Sequence, residues 1–193
     1  MKYTKIPQNT FKEIVVNQGV LLTDFTPATA TVTDTAILGA VGTDGVTFTA
    51  TPNWVDFGED IGNCPKNMME LKRLESWDVK MSGTFKSVNS TNLKSLIAAC
   101  DEASGKFTPR NDIDTADFQD IWLVADYSDK NGETNGGYFA IHLLNALNTG
   151  GLSVKVSDSS KGEFAFSYTG HYSMDAQDTV PFEVYMKAGT EET

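Results

Sequence analysis

Apolar and polar residues alternate along most of this chain in short runs rich in Val, Ile, Phe, Trp, Tyr and Thr, the two-residue period of half-buried strands. Nine segments read this way: 12–24, 36–41, 46–57, 73–88, 118–127, 138–147, 152–156, 163–171 and 182–187. Turn-forming pairs punctuate them. Asp44-Gly45, between Ile37-Leu38-Gly39-Ala40-Val41 and Val46-Thr47-Phe48-Thr49, predicts a tight hairpin. Asn131-Gly132 predicts another, and Gly150-Gly151 and Lys161-Gly162 predict two further reversals. Reversals this closely spaced make antiparallel neighbours.

One segment keeps a different period. Leu93, Leu96, Ile97 and Cys100 fall at i, i+3, i+4 and i+7, with Ser90 or Thr91 as N-cap and Gly105 to stop the turn, which predicts a short amphipathic helix covering a face or end of the β layers. Residues 58–71, with Asn63-Cys64-Pro65, and 102–117, with Pro109 and several aspartates, read as long loops, and long loops usually have work to do. The expectation is one domain over residues 1–193, with a flexible arm at 1–11, a long loop at 57–71 and a short tail at 188–193.

Composition is that of a folded globular protein, 40% hydrophobic and 21% charged. No apolar run is long enough to span a bilayer, and none follows the first residues as a signal peptide would require, so no membrane association is expected. Cys64 and Cys100 lack metal-ligand spacing and read as free thiols of a reducing cytoplasm. Net charge is −11, and it is uneven: residues 1–100 carry 9 basic and 10 acidic side chains, residues 101–193 carry 6 and 16. An acidic surface repels polyphosphate, which argues against a nucleic-acid-binding module. The stretch 66–94 is the exception, with Lys66, Lys72, Arg73, Lys80, Lys86 and Lys94 against Glu70, Glu75 and Asp78.

Catalytic and metal chemistry finds little support. In the loop from Asp126 to Gly132 a calcium-loop alignment puts Tyr127 and Tyr138 where carboxylates are needed, so an acidic turn is the better reading. His142 and His171 have no nucleophile elbow or HExxH near them and read as structural. Glu59-Asp60 and Asp112 with Asp114 read as solvated loop carboxylates rather than a glycosidase pair. Trp54, Trp77 and Trp122 could stack on sugars, but aromatics in alternating strands more often fill a core or interface. No catalytic residue, cofactor or metal is expected.

From about residue 46 onward the chain resembles the major tail tube proteins of long-tailed, siphovirus-type phages and prophages of Gram-positive bacteria. The resemblance is carried by Thr49-Ala50-Thr51-Pro52, Asp56-Phe57-Gly58-Glu59-Asp60, Asn63-Cys64-Pro65-Lys66-Asn67-Met68 and the run from Trp77 to Phe85. It continues in Phe107-Thr108-Pro109-Arg110-Asn111-Asp112, Asp126-Tyr127-Ser128-Asp129, Ala140-Ile141-His142 and Asn145-Ala146-Leu147, and closes with Gly170-His171-Tyr172-Ser173-Met174 and Val180-Pro181-Phe182-Glu183-Val184-Tyr185. About three quarters of the chain is covered.

The resemblance implies a mainly β fold of two packed antiparallel sheets, a β-sandwich or partly closed barrel, with one short flanking α-helix. It implies a virion structural protein, not an enzyme, assembled in the host cytoplasm into stacked hexameric rings that form the hollow tail tube. The implied partners are further copies, the tape-measure protein, and terminator and distal tail proteins; DNA passes through the lumen without specific binding. Phe57, Glu59, Asp60, Lys66, Lys72 and Arg73 are the candidate contacts between subunits or rings. Two rival readings stand: a tube subunit of a contractile tail, tail-like bacteriocin or secretion system, and a carbohydrate-binding β-sandwich built on one of the tryptophans.

Overall fold

A computed structural model of the chain describes residues 5–127 and 136–190. Eleven strands and one α-helix are found among them: β1 (Val15–Leu22), β2 (Ile37–Gly39), β3 (Val41–Asp56), β4 (Lys72–Phe85), α1 (Ser90–Ile97), β5 (Cys100–Ala103), β6 (Lys106–Pro109), β7 (Gln119–Tyr127), β8 (Gly137–Asn148), β9 (Ser153–Lys155), β10 (Glu163–Thr169) and β11 (Phe182–Lys187). All pairings are antiparallel. The main path runs β2-β1-β7-β8-β10-β4-β3, with β11 added beside β8 and β9 beside β10.

That path folds into two layers because two segments change layer. Extended chain runs from β2 to β3 through Ala40, whose carbonyl accepts from the Lys86 N–H at 2.7 Å while its own N–H donates to Ser87 Oγ at 2.8 Å. β8 pairs with β11 over 138–143 and with β7 as far as Ala146, whereas Leu147 and Asn148 at its end pair with β10; Asn145, just before this change of partner, takes φ 47°. Corners made by such changes of partner are how crossed sheets share strands. Since β2 continues into β3, the order closes on itself and leaves a partly closed β-sandwich.

The enclosed core comprises Leu21, Leu38, Val79, Met81, Phe85, Ile121, Leu123, Ile141, Leu143, Phe166 and Tyr168, with Leu96 of α1 covering it. Burial pushes the Tyr168 phenol up to about 12, and its hydroxyl pairs with Ser95 Oγ at 2.7 Å. A second cluster lies on the opposite face of the β1-β7-β8 layer, where Leu22, Trp122, Val124 and Ala140 are covered by Phe25 and Ala36 from the β1–β2 connection. Both faces of β7 are therefore apolar, which is why Ile121-Trp122-Leu123-Val124-Ala125 reads as an unbroken hydrophobic run instead of an alternating one.

Several expectations need correction. Asp44-Gly45 is not a hairpin turn. The chain continues through it as β3, and five steps from Val41 to Val46 oppose two from Phe85 to Gly83, a wide bulge with Gly45 at φ 75°. Gly83 sits beneath it because a Cβ there would lie 2.9 Å from the Gly45 carbonyl oxygen and 2.7 Å from the Phe166 ring. Gly150-Gly151 is not a reversal either: β8 and β9 follow one another along the same edge of β10, and the glycines bulge outward between them. Asn148 makes that bulge, accepting from Ser167 N–H and donating to the carbonyls of Leu96 and Gly151. Lys161-Gly162 does lie in the β9–β10 hairpin loop.

The helix is capped by Asn89, not Ser90 or Thr91, through reciprocal 2.8 Å bonds with Asn92, and it ends at Ala98 with φ 71°. Cys100 belongs to β5, and Gly105 turns the β5–β6 hairpin inside what was expected to be loop 102–117. Arg110 secures that hairpin: its Nη atoms lie 2.9 Å from Asp114 and 2.6 Å from the buried Asp117, and Nε lies 3.0 Å from Asp101 without hydrogen-bond alignment. The Asn131-Gly132 turn, the rejected calcium loop around it and residues 1–4 and 191–193 of the terminal arms lie outside the described residues.

Candidate functional site

The β3–β4 hairpin is longer than the fold that carries it. Its pairing extends from Phe85 to Lys72 on β4, but β10 accompanies β4 only as far as Lys80. Alternation carries it this far: Val46, Phe48 and Ala50 pack on the core while Thr47, Thr49 and Thr51 face solvent. Beyond them Pro52, which has no N–H to donate, is tolerated because β3 is an edge strand. A bulge at Glu75, between the pairs Asn53↔Ser76 and Trp54↔Leu74, twists the outer part of the hairpin.

Residues 57–71 form the tip, and the Asp56 carboxylate organises it. Its Oδ1 accepts from Gly58 N–H at 2.9 Å and its Oδ2 from Asn67 N–H at 3.0 Å. Lys72 Nζ donates to Asn67 Oδ1 at 3.2 Å and stands 5.7 Å from the centre of the Trp54 ring. Phe57 N–H donates to Leu71 O at 3.0 Å, closing the base of the loop. A Cβ on Gly58 would meet Cys64 Sγ at 3.0 Å and Asp56 Oδ1 at 3.1 Å, so any side chain there would press on the clasp.

Donation from the Gly58 N–H, then from the Asn67 N–H, holds the Asp56 carboxyl below its ordinary 3.8, with Lys72 and Lys66 adding to the effect. A depressed folded-state pKa means the clasp's contribution is complete above pH 3.8 and is lost as pH falls through the lower folded value. Asp56→Ala is expected to speed amide exchange across 57–71 at neutral pH at least tenfold, leaving strand amides near Met81 unchanged; equal exchange in both proteins would show that the clasp does not order the tip.

The six expected contact residues all lie on or beside this tip, on more than one surface. Glu59, Lys66 and Lys72 share a shallow groove with Trp54 and Asn67, whereas Phe57 and Arg73 line another with Val55, Leu74 and Glu75. Asp60 is exposed in the turn. The wider basic stretch does not form one surface, for Lys86 is engaged by Glu163 at 2.6 Å within its own sheet. Beside the expected Phe57, 56% exposed, the apolar Trp54, Ile61 and Met69 were missed as contacts; they are 54%, 53% and 82% exposed, and the available signal was Ile61 and Met68-Met69 standing in a largely polar loop.

The other singled-out residues are placed structurally. His142 stacks on Trp122, centroids 3.8 Å apart and planes within 7°, with its ring nitrogens 3.2 Å from Asp120 and 3.4 Å from Glu183. Donation from the Tyr185 hydroxyl is the main cause that holds the Glu183 carboxyl below its usual range. His171 faces Asn145 O at 3.1 Å and packs edge-on to Phe118. Asp114 serves Arg110. Of the tryptophans, Trp122 is buried and Trp77 is half-buried against Phe182, leaving Trp54 as the exposed ring. Among the described residues no group of three or more His, Cys, Asp or Glu is placed to hold a metal ion, and no helix is long and apolar enough to cross a membrane. No protein-family model matches the chain, and no curated protein is similar to it.

Proposed function

We propose that this chain is a tail tube subunit of a long-tailed phage or prophage, a virion protein that joins into hexameric rings and stacks them into a hollow tube. The observation that carries the reading is the overhanging β3–β4 hairpin, an ordered projection whose tip exposes four large apolar side chains amid charges of both signs. Large apolar side chains left in water gain free energy when a second copy covers them. Head-to-tail contact between unlike surfaces builds open polymers, and edge strands supply lateral pairing. The resemblance of the sequence around this hairpin to tail tube proteins supports the same reading.

The partners are then further copies, tape-measure protein inside, and terminator and distal proteins at the ends, with DNA passing an acidic or neutral lumen that does not adsorb it. Lys66, Lys72 and Arg73 make stacking salt-sensitive. The glycan-binding alternative now rests on Trp54, whose ring already carries Lys72. The deciding experiment is negative-stain microscopy of the purified full chain at rising concentration. Annuli of six and filaments are expected; folded monomer at every concentration and at low salt refutes the proposal.

A further inference from the structure

Strand β11 is lightly held. It pairs with β8 alone, from Phe182↔Leu143 to Lys187↔Tyr138, and its other edge carries no pairing among the described residues. Glu183, Val184, Met186 and Lys187 are exposed. Packing fastens the strand through Phe182, which meets Trp77 and Phe48, and through Tyr185, whose ring centre lies 5.5 Å from that of Trp122. Few buried contacts and one paired edge mark a segment that can open locally while the rest stays folded.

A cluster of polar side chains crosses β8 at this point. The register sets Trp122 of β7 opposite His142 of β8, and His142 opposite Glu183 of β11. The titratable groups facing the imidazole are Asp120 from β7 and Glu183 and Tyr185 from β11. His142 Nε2 lies 3.2 Å from Asp120 Oδ2 and Nδ1 lies 3.4 Å from Glu183 Oε2, with the ring flat on Trp122 and only 12% of the side chain exposed. Both carboxylates are held from their far sides, Asp120 Oδ1 by the Asn145 N–H at 3.0 Å and Glu183 by the Tyr185 hydroxyl. A neutral imidazole has one N–H and one lone pair, whereas an ionised carboxylate only accepts. Neutral His142 therefore satisfies one partner and turns a lone pair toward the other. The imidazolium donates to both, and its charge over the indole face adds attraction.

We infer that His142 is a proton-operated clasp on β11: the imidazolium ties Glu183 of β11 to Asp120 of β7 across β8, and loss of the proton lets β11 open. Donation from Tyr185, and then from His142, holds the Glu183 carboxyl below its ordinary 4.5, so this partner is an anion throughout the range in which imidazoles titrate. The sign follows from the partners. A histidine that gains anionic neighbours on folding contributes stability in its protonated form and loses it as pH rises, and at the acid end the contribution stops when Glu183 takes up a proton. Opening bares the 138–143 edge of β8, and a bared edge is a template for another strand. The inference goes beyond self-assembly and does not rest on it.

The test is amide exchange of the full chain, kept below its assembly concentration, at about pH 5.5 and about pH 8, on either side of the usual imidazole range. Results are expressed as protection factors, so that the intrinsic pH dependence of exchange cancels. Protection across 182–187 should fall about threefold at the higher pH while β4 amides near Met81 keep theirs, the size of effect that one ion pair between partly exposed groups supplies. His142→Gln should abolish the difference. Glu183→Gln, which leaves the ring on Trp122, should remove most of it, and His171→Gln, which changes the one other histidine, should retain it. A fall of the same size in His142→Gln, or none in the parent, overturns the inference and leaves the tube proposal untouched. Should His142→Gln fold poorly, an undiminished fall in Glu183→Gln overturns it equally.

Discussion

Phe85→Ala is expected to lower the free energy of unfolding by about 3–5 kcal/mol, read as a shift of the denaturation midpoint at constant slope. The residue is fully buried, stacks at 4.5 Å and 34° on Phe166, and stands opposite Val41 where the two-layer path closes. Its ring also packs on Gly39, where an added Cβ would come within 3.2 Å of it. Removing it leaves a cavity at the Ala40 corner, which neighbouring strands cannot fill without breaking the Lys86–Ala40 and Ala40–Ser87 hydrogen bonds. Such a cost is a large fraction of the roughly 5–15 kcal/mol that holds a domain folded, so the variant should melt at a clearly lower temperature. Phe85→Leu retains most of the volume and should lose less than half as much. A loss under about 1 kcal/mol for the alanine variant would show that the corner relaxes and that the core lies elsewhere.

How much of this was legible in sequence depended on whether a local signal had a competing local explanation. The alternation Val46-Thr47-Phe48-Thr49-Ala50-Thr51 marks one face of β3 without ambiguity, and the structure uses it as read. Asp44-Gly45 looked like a hairpin turn because an Asp-Gly pair with a glycine at positive φ serves hairpins and wide bulges alike. Only the partner strand distinguishes them, and Phe85 to Gly83 lies about forty residues downstream. The same holds at Gly150-Gly151, where a bulge depends on Asn148 reaching both Leu96 and Ser167. The run Ile121–Ala125 concealed its geometry because a strand covered on both faces has no period to show.

The tip was legible as a long charged loop but not as a surface. Which of Trp54 and Leu74 are covered depends on where β10 stops, a tertiary fact absent from the local pattern. Period-two reading assigns Trp54 to the core-facing side, and that is correct; the core simply ends before reaching it. Val184 and Met186 are the same case on β11. Residues that obey strand parity yet remain exposed are where a sandwich is unfinished, and the unfinished parts of this one are the hairpin overhang and the outer half of β11.

Phe57→Asp combined with Met69→Asp should abolish elongation while leaving the monomer folded. Both side chains project from the tip at 56% and 82% exposure, so neither contributes much to the fold, and circular dichroism and the melting transition should match the parent closely. In a stacked tube each would instead be buried against the next ring. Truncating a well-packed interface anchor costs about 2 kcal/mol or more, and replacing it with a carboxylate adds the cost of burying an unpaired charge. Two such changes at every contact amount to roughly 4 kcal/mol or more, about a thousandfold in the concentration at which filaments appear. Deleting residues 60–66 should give the same folded, non-elongating protein by a different route, since Asp60 and Lys66 leave with the turn that presents Phe57. Light scattering and negative-stain microscopy across that concentration range measure the effect. Filaments at the parental concentration from both variants would mean that the tip is solvent-facing in the assembled state, and the stacking surface would then have to be sought on another part of the molecule.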